Sequence, residues 1–399
     1  MTINNGEQLL PKISLKERDR RYRLVRKAMA AEKIDVLLVP ANHSRWEQMM
    51  ADSRYLTSIG GFGTEILTVF PKSGEVTGYV FNRSGWWLGV QDWVTDLRDG
   101  RNYWADNAIE RLRELKFHKG RIGIVGLSGL IRAPDGMIPY TTVERIKEAF
   151  PEAEIVNATT LIQGVRSVKS AEELAFMRRS MTIIERMIET MKATTRVGVS
   201  EKRVYAAMIN TLLENEGEMP SMFIFGTGPD LSHCSFVPTE RVIRKGDLVV
   251  NEIEARYAGY SAQGVNPLVL GQPTKAFSDL VEVSRLCFDR VAEKMRPGTP
   301  LGDLMDVYTG TVEREGKGNM AWGHPMMHAR GLGDESPALL GNDDLERFRR
   351  VELKAGMTFI LKPAVRRGKQ TARLGDTVVV TRNGGERLGK RPMELGIIE

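Results

Sequence analysis

Glu252 and Lys362 each stand six residues after a glycine, closing a mostly apolar run: Gly246-Asp-Leu-Val-Val-Asn-Glu252 and Gly356-Met-Thr-Phe-Ile-Leu-Lys362. A short apolar run ending in a charge predicts a buried strand that delivers a functional group. Two such runs ending in opposite charges predict a matched acid and base facing one site across a pseudo-twofold. The alternative is two unrelated strands with charged ends at the surface. Of the five histidines, His233, His324 and His328 flank turn-rich segments in the second half rather than an apolar helical face. Imidazole titrates near neutrality, so these are candidates for proton transfer. Cys234 follows His233, but Cys234 and Cys287 are too few and too far apart for a disulfide framework or a zinc motif.

The elements that must position these residues form two blocks. Helical periodicity at residues 15–35 leads into an apolar run, Asp35–Pro40, and further strands are predicted at Ile66–Phe70, Thr77–Phe81 and Ile122–Val125, with a helix near Asn107–Leu115. This is an α/β domain, and five of the six tryptophans lie in it. Trp86 and Trp87 adjoin, and on a strand their rings would point to opposite faces. One ring is therefore a candidate for lining a pocket or a subunit interface, the alternative being one ring in the core and one at the surface. Ser170-Ala-Glu-Glu173 reads as a capping box opening a long helix through Met177, Met181, Ile184 and Met191, methionines best explained as core packing. The division expected is residues 1–160 and 161–399, with helices near 200–216, 275–295 and 302–315 and a strand at Asp376–Thr381 in the second domain.

Composition excludes several classes. At 399 residues, 42% hydrophobic and 27% charged, the chain reads as an ordinary globular protein with no bilayer-length apolar run and no visible secretory signal, which predicts a cytoplasmic protein. The net charge of +6 comes from dispersed basic residues without an aromatic-interleaved or helix-turn-helix pattern, so no nucleic-acid or membrane partner is expected. The basic cluster of Arg366, Arg367, Lys369, Arg373, Arg382, Arg387, Lys390 and Arg391 is mostly solvated surface, with a subset available to hold a carboxylate.

The order Arg166-Ser-Val-Lys-Ser-Ala-Glu-Glu173, His233 with Pro238-Thr-Glu-Arg241, Lys245-Gly-Asp-Leu-Val249, Gly259-Tyr260, His328 with Gly331-Leu-Gly333, and Leu353-Lys-Ala-Gly-Met-Thr-Phe359 resembles the creatinase, aminopeptidase P and prolidase superfamily. The resemblance implies an α/β N-terminal domain of creatinase type followed by a pseudo-twofold pita-bread domain with a curved antiparallel sheet. Its peptidases hold two metal ions with two aspartates, a histidine and two glutamates. Those positions align here with Glu252, Gln263, His328, Lys362 and Gly375, a set in which a lysine stands where an anion is needed.

The resemblance therefore points to the metal-free, creatinase-like branch. The expectation is a metal-independent hydrolase of a C–N bond in a small, carboxylate-bearing metabolite, without a cofactor. His233 aligns with the creatinase histidine and is the expected general base and acid. Glu252 orients water or the histidine. Lys362 and Arg330 stabilise an oxyanion or grip a carboxylate, and Tyr260, Gln263, His324 and His328 complete the pocket by hydrogen bonding. Alternatives are a lyase, a non-catalytic binding protein, a purely structural Lys362–Glu252 pair, a single-metal hydrolase using Glu252 and His328, and an Xaa-Pro metallopeptidase. A homodimer is implied, with Trp86 or Trp87 closing the partner's pocket.

Overall fold

The computed structural model describes residues 8–42, 48–61, 63–81, 83–101, 103–220, 222–230, 236–323 and 326–399. They divide into two compact units: Met1–Ser167 with Leu332–Ser336, and Val168–Gly331 with Pro337–Glu399.

The first unit is built on a six-stranded mixed sheet in the spatial order Asp96–Asp99, Thr77–Val80, Ile66–Pro71, Val36–Ala41, Gly120–Ile124, Ala153–Asn157. Val36–Ala41 is central, antiparallel to Ile66–Pro71 and parallel to Gly120–Ile124. All six of its residues are buried, because helices cover both faces. Val36, Leu38, Leu67 and Val69 pack with Ala105, Ala108 and Leu112 of the helix Trp104–Glu114 and Ile146 of Tyr140–Ala149. Trp86 and Trp87 belong to a short helix, Ser84–Val90, rather than a strand, and their rings meet edge to face. Trp86 is 36% exposed and Trp87 6%, one outward and one inward. Buried Arg166 pairs with both Asp52 and Glu335, and Arg132 reaches Asp334 at 2.9 Å, tying the segment Leu332–Ser336 into this unit.

The second unit repeats one motif twice. Ser170 caps the 24-residue helix Ala171–Thr194 in a capping box, and Thr274 caps Lys275–Lys294. Met177, Met181, Ile184 and Met191 are fully buried, as their spacing predicts, and so is Met187. Each long helix runs into a turn glycine, Gly198 (φ +89°) or Gly298 (φ +85°), and a second helix, Glu201–Glu214 or Leu301–Gly316. Gly198 N–H donates to Ile243 O at 3.0 Å, and Gly298 N–H donates to Leu353 O at 2.9 Å. The strands then start from Gly246 (φ +85°) and Gly356 (φ +86°), left-handed positions that favour glycine.

The strand Leu248–Tyr257 pairs antiparallel with Ile224–Gly228 on one side and Tyr260–Gly264 on the other. In the other half, Thr358–Leu361 pairs antiparallel with Met327–Arg330 and Asp376–Thr381. The halves join where Val265 and Gly375 exchange backbone hydrogen bonds of 2.9 and 3.1 Å. Beside that seam, Thr377 Oγ1 accepts from Gln263 N–H at 2.8 Å. This is the pseudo-twofold pita-bread architecture, with helices on the outer face of the strands. No helix among the described residues is long and apolar enough to cross a membrane.

Candidate active site

Side chains alternate across a strand, so Glu252, Glu254 and Arg256 share the inner face of Leu248–Tyr257. The register sets Glu254 opposite Gln263, adding that side chain to the same face. In the other half His328 and Arg330 alternate along Met327–Arg330, and Lys362 follows Thr358–Leu361. All seven are buried, giving a charged inner surface where an apolar core would otherwise stand.

The two charges predicted to face one another do so. Lys362 Nζ donates to Glu252 Oε2 at 2.5 Å and to Gln263 Oε1 at 3.1 Å. Gln263 Nε2 donates to Glu252 Oε2 at 3.3 Å. Arg373, at the end of the strand Gln370–Arg373, reaches the other oxygen, Glu252 Oε1, at 3.0 Å. Burial pushes the Glu252 carboxyl up, but the charges of Lys362 and Arg373, the Lys362 hydrogen bond and nearby His328 together hold it at about 2. Glu252 is therefore a fixed anion at neutral pH. A carboxylate so stabilised is a poor general base, which limits it to positioning and charge balance.

Two sequence-based assignments change. Arg330 is committed to Glu254 at 2.5 Å, so it is not placed to grip a substrate carboxylate. Tyr260 points to the helix side: its hydroxyl donates to Glu173 Oε1 at 2.9 Å and its ring stacks on Phe176, because residues 260 and 263 lie on opposite faces of their strand. Arg373 replaces Arg330 as the guanidinium at the cluster. At 12% exposure against 2% for Lys362, it is the more accessible of the two cations on Glu252. Its sequence context places it in the C-terminal basic cluster, a subset of which is available to hold a carboxylate, but no spacing rule links it to Glu252. His328 is fully buried with Nδ1 3.4 Å from Ala329 O. His233, Cys234 and His324 lie outside the described residues. Cys287 is buried in the core, its thiol pushed up to about 12 by burial.

A pseudo-twofold sheet with ionisable groups on its inner face defines the pita-bread class of proteins. Residues 175–382 match the metallopeptidase family M24, and residues 21–168 match the creatinase/prolidase N-terminal domain. The first match alone spans more than half of the chain, and the protein belongs to family M24. The Xaa-Pro dipeptidase of Pyrococcus furiosus is 26% identical over 267 residues, covering 65% of this chain and 74% of the relative. Two solved structures share the fold: an X-Pro aminopeptidase from Thermotoga maritima MSB8 (TM-score 0.78, 20% identity, 95% of this chain and 99% of that one) and an Xaa-Pro dipeptidase from Bacillus anthracis (TM-score 0.78, 21% identity, 96% and 100%).

These comparisons correct the functional expectation. The relatives are named as Xaa-Pro peptidases within a metallopeptidase family, which overturns the reading as a metal-independent, non-peptidase hydrolase of a small metabolite. The five positions aligned with the superfamily's metal ligands do not, however, fit a pair of divalent ions. Lys362 presents an ammonium there and already occupies a Glu252 oxygen. At Gly375 even a Cβ would lie 2.6 Å from Lys362 Cβ and 2.7 Å from Leu361 O, leaving no room for a carboxylate side chain. Among the described residues, no group of three or more His, Cys, Asp or Glu side chains could hold a metal ion.

Proposed function

We propose that this protein hydrolyses the peptide C–N bond of a dipeptide-sized substrate of the Xaa-Pro kind, recognised through its free carboxylate. The reading is carried by its similarity to Xaa-Pro dipeptidases, which spans most of the chain. The geometry supports it, since Glu252 meets two cations, Lys362 and Arg373, and a second anion completes the charge balance. Arg373 offers further N–H donors for a carboxylate at the cleft surface. Lys362 and Gln263 fix the orientation of Glu252 and keep the cluster preorganised. His233 is the proposed proton carrier.

A second reading, recognition of the same ligand without turnover, is favoured by the Lys362–Glu252 ion pair standing where ligands to metal are expected. One experiment separates the two: proline release from Ala-Pro, followed with chelator and with added manganese, cobalt or zinc, alongside calorimetric titration of Ala-Pro. Release that disappears in His233→Ala supports hydrolysis. Saturable binding without release selects the second reading, and neither binding nor release removes both. The protein is further proposed to be a homodimer in which Trp86, the more exposed of its pair, reaches the partner's pocket. Light scattering that finds only monomer at assay concentration overturns that assembly.

A further inference from the structure

The first unit contains a cleft that the peptide-hydrolase reading does not use. It has a volume of about 250 Å³ and is lined by Glu65, Tyr79, Phe81, Arg101 and Trp104, with Gly100 in its wall. Its aromatic walls come from two different elements. Tyr79 belongs to the strand Thr77–Val80 and Phe81 follows it, while Trp104 opens the helix Trp104–Glu114. The helix entrance is locked by Asn107, which accepts from Arg101 N–H at 3.0 Å and donates to Arg101 O at 3.1 Å. Gly100 keeps this wall uncrowded, since a Cβ there would stand 3.1 Å from Asn107 Nδ2 and 3.2 Å from Tyr79 Cβ.

The charges sort by direction. Arg101 turns to Glu110 at 3.5 Å. Arg98, which donates to the Tyr79 hydroxyl at 3.2 Å, is held by Asp96 at 2.7 Å and Glu114 at 2.8 Å. Both guanidiniums are thus balanced by carboxylates along the helix and strand. Among the described residues Glu65 has no such cation as a partner, and desolvation beside the cleft raises its carboxyl above the ordinary carboxylate value. An anion without a cationic partner, set among three aromatic rings, suits a cation whose surface is both charged and apolar.

We propose that this cleft binds a small organic ammonium compound, with its charge on the Glu65 carboxylate and its alkyl groups against Trp104, Tyr79 and Phe81. The inference is independent of the peptide-hydrolase reading. Its test is calorimetric titration of the full-length protein with choline, and with the neutral isostere 3,3-dimethylbutan-1-ol. Choline is expected to bind saturably, and the isostere about tenfold more weakly or not at all, because it lacks the charge. Glu65 is an exposed residue, so Glu65→Gln should fold normally and lose about tenfold in choline affinity. Trp104→Phe, which keeps a ring, should lose less than Trp104→Ala. The proposal is overturned by absence of saturable choline binding up to about 50 mM, by equal affinity for the isostere, or by unchanged affinity in Glu65→Gln.

Discussion

At the residue scale, Glu252 holds the candidate active site together because it is one anion serving two cations. Glu252→Gln leaves buried Lys362 and half-buried Arg373 beside each other without a counter-charge, and is expected to cost about 3–5 kcal/mol in urea unfolding. Lys362→Met should cost less, because Arg373 still compensates the carboxylate. The double variant should be less destabilised than the sum of the single variants, since the two changes remove one shared interaction.

The same carboxylate sets a pH dependence. Its folded pKa of about 2 lies below the ordinary 4.5, so its stabilising contribution is complete above pH 4.5 and is lost as pH falls towards 2. The thermal midpoint of the wild type should therefore drop more steeply between pH 5 and pH 3 than that of Glu252→Gln. Parallel slopes in differential scanning calorimetry would show that Glu252 is not held as described.

At the element scale, three glycines do different work, and alanine should separate them. Gly246 and Gly356 share a left-handed φ, but a Cβ added at Gly246 would meet open space, whereas one at Gly356 would meet Lys169 O at 3.0 Å. Gly246→Ala should cost about 1–2 kcal/mol from backbone strain alone, and Gly356→Ala more. Gly375 needs no unusual φ; there the strand seam itself leaves no space, and Gly375→Ala must push Lys362 out of line with Glu252. Its expected signature is loss of stability together with a weakened Glu252–Lys362 coupling in a double-mutant cycle. Chemical denaturation of the three variants checks the order.

At the scale of the whole molecule, the segment Leu332–Ser336 is distant in sequence from the first unit yet belongs to it through Asp334 and Glu335. Arg166 is the buried cation common to Asp52 and Glu335. Arg166→Met leaves two carboxylates buried without it and should cost about 3–5 kcal/mol. Circular dichroism melts should show the loss, with partial recovery when Glu335→Gln is added. If Arg166→Met melts like the wild type, the segment is not held by this network.

Local patterns were enough for much of this protein. Hydrophobic periodicity, the Ser170 capping box and the paired Gly-to-charge runs established both domains' character and brought Glu252 and Lys362 to one site, because strand alternation and turn geometry are properties of neighbouring residues. The ordered motifs also carried the family resemblance. What tertiary structure decided depends on residues far apart in the chain. Only the folded register gives Arg330 to Glu254 and Arg373 to Glu252, sends the Tyr260 hydroxyl to Glu173, and crowds Gly375 against Lys362. A charge in a sequence has a sign but no partner; the partner, and with it the distinction between a substrate grip and a structural ion pair, exists only once the sheet has closed.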